Sequence, residues 1–122
     1  ATQEAPVHEN VKQRMVEASE LDTSLIFRTL RNTARVFKNS IAEKVVEIEA
    51  LPGDTDFKDL QPLVAGVKGR EVLDKGDLEY GIWTAGMVVG LIKDIPTCDD
   101  LIKTIMADAE EIISARLGGM VR

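Results

Sequence analysis

One stretch limits the choice of fold more than any other: Tyr80-Gly81-Ile82-Trp83-Thr84-Ala85-Gly86-Met87-Val88-Val89-Gly90-Leu91-Ile92. It holds the chain's one tryptophan and one tyrosine, and no charge falls between Glu79 and Lys93. Nothing in it gains from water, so folding is expected to bury it. Gly86 and Gly90 lie four apart. On a helix they would form a bare strip along which another backbone or a flat ligand can come close. Core packing is the commoner use of such glycines, and spacing alone leaves both uses open.

Around this stretch the chain has 122 residues, enough for one small domain with a modest core. Lys93 and Asp94 close the longest apolar run well short of the roughly 20 residues a membrane helix needs. The first ten residues are polar and acidic, unlike a signal peptide. The chain opens on Ala rather than Met, the pattern of a processed product or of a piece cut from something longer. Cys98 and His8 are each alone of their kind, so neither an internal disulfide nor a cysteine-based metal site is expected. A cytoplasmic, reducing setting follows as the default. The net charge of -6 speaks against a nucleic-acid binder, which normally carries a basic surplus.

In chain order, residues 4–19 read as a helix, with Thr2 as its N-cap and Val7, Val11, Met15 and Ala18 as its apolar stripe. His8 reads as a boundary residue near the helix start, since no acid or nucleophile stands at helical spacing to orient it. Residues 23–30 are rich in β-branched and aromatic types and suit one short strand. Arg28, Arg31, Arg35 and Lys38 then recur at three, four and three, which on a helix gives one basic stripe. A solvated face explains that stripe better than a phosphate contact, because no glycine-rich turn or aromatic platform accompanies it. Ser40-Ile41-Ala42-Glu43 has the form of a capping box opening a helix through Ile41, Val45 and Ile48, stopped by Pro52-Gly53.

Between Asp54 and Gly76 the pattern predicts two short helices broken near Gly66 and Gly69, with Asp54, Asp56 and Asp59 as caps and Gly76 as a C-cap. Calcium is a poor reading of those aspartates, because the EF-hand loop is absent. Thr97 should cap a long last helix whose apolar stripe runs through Leu101, Ile102, Ile105, Met106, Ala109, Ile112, Ile113 and Leu117 to Gly118-Gly119. The sum is a mostly α (α+β) chain, about five helices and one strand.

No phosphate-binding glycine loop, paired metal ligands, catalytic triad or nucleophile elbow can be assembled from these residues. The residues themselves therefore supply no catalytic centre and no metal site. Trp83-Thr84-Ala85-Gly86-Met87, followed by Gly90-Leu91-Ile92 and Asp94-Ile95-Pro96, resembles the C-terminal part of the nitronate monooxygenase family, also called 2-nitropropane dioxygenases. Arg31-Asn32-Thr33-Ala34-Arg35-Val36-Phe37-Lys38-Asn39, Pro62-Leu63-Val64-Ala65-Gly66 and Gly69-Arg70 extend the resemblance in order over nearly the whole chain.

The resemblance implies a flavin oxidoreductase on a TIM barrel, which takes roughly 250 residues. This chain would be the C-terminal helical part of such an FMN-binding enzyme, with the barrel itself largely absent. Residues 1–22 would hold the helix after the last barrel strand, 23–95 a small, mostly helical cap domain, and 96–122 the C-terminal docking helix. The intact enzyme would oxidise a nitronate or nitroalkane with O2. The phosphate site and the catalytic histidine would belong to the barrel, and His8 does not match that histidine. Trp83, Thr84, Ala85, Gly86 and Met87 are the cofactor-binding residues the resemblance implies. Met87 departs from the family's usual Gln and removes an amide donor and acceptor; Thr84 replaces a Ser and keeps the hydroxyl. The isolated chain is expected to be inactive. A flavin-type enoyl-ACP reductase fits the same pattern, and a free-standing helical interaction module is the alternative from another class.

Overall fold

The computed structural model describes residues 1–120. They form two compact units, Pro6–Lys93 and a smaller one joining Ala1–Ala5 to the chain from Asp94 onward. The fold is mostly helical, with one small sheet of two antiparallel strands.

In the larger unit, helix α1 runs Glu9–Glu17. It starts later than the apolar spacing suggests, because the His8 N–H donates to the Leu73 carbonyl at 2.7 Å instead of entering a helical turn. His8, not Thr2, is the N-cap, and its Nδ1 accepts from the Asn10 N–H at 3.2 Å.

Strands β1 (Thr23–Ile26) and β2 (Ala34–Phe37) pair from Thr23↔Phe37 to Ile26↔Ala34. This overturns the helical basic stripe: Arg28 and Arg31 lie in the hairpin connection, Arg35 in β2 and Lys38 just beyond it. The reason is the adjacent pair Val36 and Phe37, both buried but in two different apolar clusters. Only a strand sends neighbouring side chains to opposite faces. Before the hairpin, the Ser19 N–H and hydroxyl donate to the Asp22 carboxylate at 2.8 and 3.0 Å. Those bonds, the backbone one foremost, hold the Asp22 carboxyl below the usual range. Its contribution to stability is therefore present above the ordinary aspartate pKa of 3.8 and is lost as pH falls through the lower, folded value.

Helix α2 (Ser40–Glu49) is capped by Asn39 rather than by Ser40. The Asn39 Oδ1 accepts from the Ala42 N–H at 2.9 Å, while the Ser40 N–H donates to Glu79 at 2.7 Å. Asn outcompetes Ser for the cap here because its amide can also donate, as described below. Helix α3 (Phe57–Val64) opens with a reciprocal capping box between Asp56 and Asp59, so these aspartates do cap. Helix α4 (Gly66–Lys75) begins at Gly66 but runs straight through Gly69, where a break was expected.

Gly76 ends α4 in the left-handed region, at φ 74°. A Cβ there would also strike the His8 ring. Gly76→Ala is therefore expected to cost about 1–2 kcal/mol from backbone strain alone, with the steric term added. Urea unfolding of the full-length protein reads it, and an unchanged midpoint would contradict the packing of His8 on this turn.

In the smaller unit, helix α5 (Cys98–Glu111) is capped by Thr97, whose Oγ1 accepts from the Asp100 N–H at 3.1 Å. The N-terminal residues join it: the Gln3 N–H donates to the Pro96 carbonyl at 2.9 Å, and the Cys98 N–H donates to both Glu4 carboxylate oxygens. A π-helical turn over Ile112–Leu117 continues the helix, and a 3-10 turn at Gly118–Met120 follows. The stripe Ile102, Ile105, Met106, Ile112, Ile113 and Leu117 is exposed throughout. Among the described residues no helix is long and apolar enough to cross a membrane.

Candidate functional site

The central stretch does not form the helix that the Gly86–Gly90 spacing allowed. Trp83 and Thr84 run extended beside β2: the Phe37 N–H donates to the Trp83 carbonyl at 2.9 Å, and Thr84 bridges to Val36 in antiparallel sense. Gly86 is extended as well, at φ -84° and ψ 166°. Only then does a 3-10 helix form, over Met87–Leu91. The two glycines consequently do different jobs. A Cβ on Gly90 would lie 2.7 Å from the Glu20 backbone nitrogen, whereas one on Gly86 would meet nothing closer than Val88 Cγ1 at 3.8 Å. Gly90 is a packing contact; Gly86 opens to solvent.

The extended path sorts the side chains by alternation. Trp83 and Ala85 point into the core, 3% and 7% exposed, while Thr84, Gly86, Met87 and Val88 are exposed. Full burial of the stretch, expected from its composition, holds for the inward set alone. The five residues singled out from the sequence thus divide into an exposed ledge, Thr84, Gly86 and Met87, and a buried support, Trp83 and Ala85.

The support is rigid for identifiable reasons. The Trp83 indole stacks on Phe37 with centroids 4.2 Å apart and an 8° tilt, and the Arg14 guanidinium sits 4.9 Å from the centre of the Phe37 ring. Asn39 fastens the entrance to the stretch: its Nδ2 donates to the Leu78 and Gly81 carbonyls, both at 2.8 Å. The α4 backbone presses on it directly, since a Cβ on Gly69 would stand 2.6 Å from the Ile82 oxygen and one on Gly81 2.8 Å from Lys68. Beside the ledge, a cleft of about 270 Å³ is lined by Gly66, Gly69, Leu73, Ile82, Trp83 and Thr84, among others. The Trp83 Nε1–H is buried and has no hydrogen-bond partner among the described residues.

Asn39, Phe37 and Gly69 act on the site through the stretch and were not among the residues expected to serve it. Their signal was present, because all three fall inside the runs Arg31–Asn39 and Gly69-Arg70 that carry the family resemblance. For Asn39 that role depends on a contact with Gly81, 42 residues along the chain, and for Gly69 on close approach to the Ile82 backbone beyond the end of α4. Among the described residues no cluster of three or more His, Cys, Asp and Glu side chains is gathered that could hold a metal ion.

The model of one protein family, nitronate monooxygenase, matches residues 1–108, most of the chain and all of the ledge. This chain belongs to the nitronate monooxygenase family. Its fold is similar to FabK of Thermotoga maritima, with a TM-score of 0.85 and 28% identity over 98% of this chain. The M276A variant of that FabK gives 0.78 and 27%, also over 98% of this chain. Among curated proteins, an octahydro-indene-carboxyl-CoA dehydrogenase of Rhodococcus jostii is 49% identical over 43 residues, 35% of this chain. This member of the nitronate monooxygenase family spans 12% of that dehydrogenase and 37% and 34% of the two FabK chains. The family and these neighbours are oxidoreductases, and the family is flavin-dependent.

Proposed function

We propose that this chain is the C-terminal, mostly helical part of an FMN-dependent oxidoreductase that oxidises a nitronate or nitroalkane with O2, the remainder being a flavin-binding barrel. The family match over residues 1–108 carries this reading. When bound, FMN supplies the electron-transfer chemistry; this chain's residues shape and enclose one side of its site.

The residues present suit that limited role. Gly86 leaves the backbone uncovered beside an exposed hydroxyl, Thr84, and a soft thioether side chain, Met87, which can lie against a ring. The Thr84 hydroxyl can donate to or accept from a ring edge, and the apolar neighbours Met87 and Val88 exclude water there. No charged side chain stands on the ledge, so the FMN phosphate and the catalytic base fall to the barrel portion. The isolated chain should accordingly show neither turnover nor measurable FMN affinity. Its exposed α5 stripe should make it associate, which sedimentation of the purified chain would show. A monomeric chain that binds FMN unaided would contradict this.

A second reading, reduction of an enoyl thioester at the same kind of flavin site, is favoured by the FabK-like fold and by a relative whose substrate is a carboxyl-CoA. The full-length protein decides between them. It should carry a yellow flavin chromophore and consume O2 with a nitronate. Inactivity with the nitronate, together with turnover of an enoyl thioester and a nicotinamide cofactor, would replace the first reading by the second. A colourless protein that FMN does not reconstitute would remove both.

A further inference from the structure

Arg14, in the last turn of α1, touches two things at once. Its guanidinium sits 4.9 Å from the centre of the Phe37 ring, which in turn stacks on Trp83, and it reaches the Asp22 carboxylate at 3.6 Å. Asp22 is itself fixed. The Ser19 N–H and hydroxyl donate to its carboxylate, and the Asp22 N–H closes the turn by donating to the Ser19 carbonyl at 3.1 Å. The Asp22 carbonyl accepts from the Lys38 N–H at 2.9 Å, and Lys38 directly follows Phe37. The Ser19–Asp22 turn also lies against the 3-10 helix, since a Cβ on Gly90 would stand 3.3 Å from the Ser19 carbonyl carbon. One turn therefore meets the central stretch at both ends.

An ion pair on an open surface contributes little. This one is placed differently. Its side chains are 34% and 35% exposed and it joins two separate elements, whereas Arg70–Asp74, Lys75–Glu71 and Lys103–Asp99 each lie along one exposed helix face. Phe37 is 2% exposed, so little water screens the cation from the ring, the condition under which such a contact strengthens.

The geometry points to Arg14 as a positioning residue: clamped by Asp22, it holds the Phe37–Trp83 stack and, through Trp83, sets the place of the ledge at Thr84, Gly86 and Met87. Trp83 and Thr84 are consecutive in an extended segment paired with β2, so a displaced indole carries Thr84 with it. The clamp rests on these contacts alone; its consequence for FMN rests on the function proposed above.

The buried Trp83 Nε1–H exchanges with solvent only when this support opens. Its exchange into D2O in the flavin-free full-length protein, followed by NMR and assigned through Trp83→Phe, reads the clamp without any flavin. The amide of Val45, buried in α2 within the other apolar cluster, is the internal reference. Arg14→Met keeps an apolar stem over Phe37 but no charge. It should speed Trp83 exchange about threefold or more and leave Val45 unchanged. Arg14→Lys, which keeps a cation, should recover part of the loss. Adding Asp22→Asn to Arg14→Met should change little more, because both act through one contact. FMN should bind Arg14→Met about threefold or more weakly than the parent, with Arg14→Lys between them. Equal acceleration at Trp83 and Val45 would make Arg14 a contributor to global stability alone and overturns the proposal. Unchanged Trp83 exchange overturns it too, as does unchanged FMN affinity beside a parent that binds FMN. A parent that binds no FMN removes the flavin reading, and the exchange comparison then decides the clamp by itself.

Discussion

Asn39→Ala should destabilise the full-length protein by about 3 kcal/mol, the largest effect expected from any single polar side chain here. The side chain is 5% exposed and all of its bonds are used: Oδ1 caps α2, and both Nδ2 hydrogens go to carbonyls of the chain entering the central stretch. Loss of the cap accounts for about 1 kcal/mol. The rest comes from the Leu78 and Gly81 carbonyls, which lose their donor and cannot easily regain water, at about 1 kcal/mol or more each. Asn39→Ser restores the cap alone and should recover about 1 kcal/mol. Because Gly81 lies two residues before Trp83, Asn39→Ala should also weaken FMN binding in the folded protein. Chemical unfolding and flavin titration check both parts. A loss below about 1 kcal/mol would mean that Asn39 is only a helix cap.

Gly69→Ala should destabilise, against the ordinary trend. In a helix interior this change normally stabilises by up to about 1 kcal/mol. Here the new methyl would meet the Ile82 carbonyl oxygen at 2.6 Å, and that neighbour is backbone that cannot rotate away. Overpacking of this kind costs about 1–3 kcal/mol, so the helix-propensity gain is offset or exceeded. Relief requires the Ile82–Trp83 segment to move outward, which would disturb the Trp83–Phe37 stack and shift the ledge. Gly66→Ala, on the same helix but with nothing within 4 Å of the added methyl, should be neutral or stabilise by about 0.5 kcal/mol. Matching unfolding midpoints for the two variants would show that α4 does not press on the stretch.

The elements that local chemistry decides were legible in the sequence. Asp56 and Thr97 cap where expected, Gly76 stops α4, and α2 begins within one residue of its expected start. What local chemistry does not decide was misjudged. Arg28, Arg31, Arg35 and Lys38 have helical spacing, but spacing of exposed residues carries little energy beside the burial of Val36 and Phe37 on opposite faces. The Gly86–Gly90 spacing likewise suggested a helix strip. The pairing of Trp83 and Thr84 with β2, set by a strand some 47 residues earlier, drew the chain into an extended path instead. Ser40 and Asn39 are equally good caps by type, and the choice went to the one whose amide could also reach Gly81. At the site, alternation along an extended segment separates ledge from support, a division that the Gly86–Gly90 spacing alone does not reveal.

In the proposed enzyme the exposed ledge at Thr84, Gly86 and Met87 faces the flavin. Titrating FMN into the full-length apoprotein, with Gly86→Leu and Gly66→Ala beside the parent, tests it most directly. The Gly86 position has room for a side chain in this fold, so a leucine should leave stability little changed while occupying the surface assigned to the cofactor. Gly86→Leu should bind FMN about tenfold or more weakly than the parent, and Gly66→Ala should match the parent. Equal FMN affinity in all three would contradict the claim and leave the central stretch as packing alone.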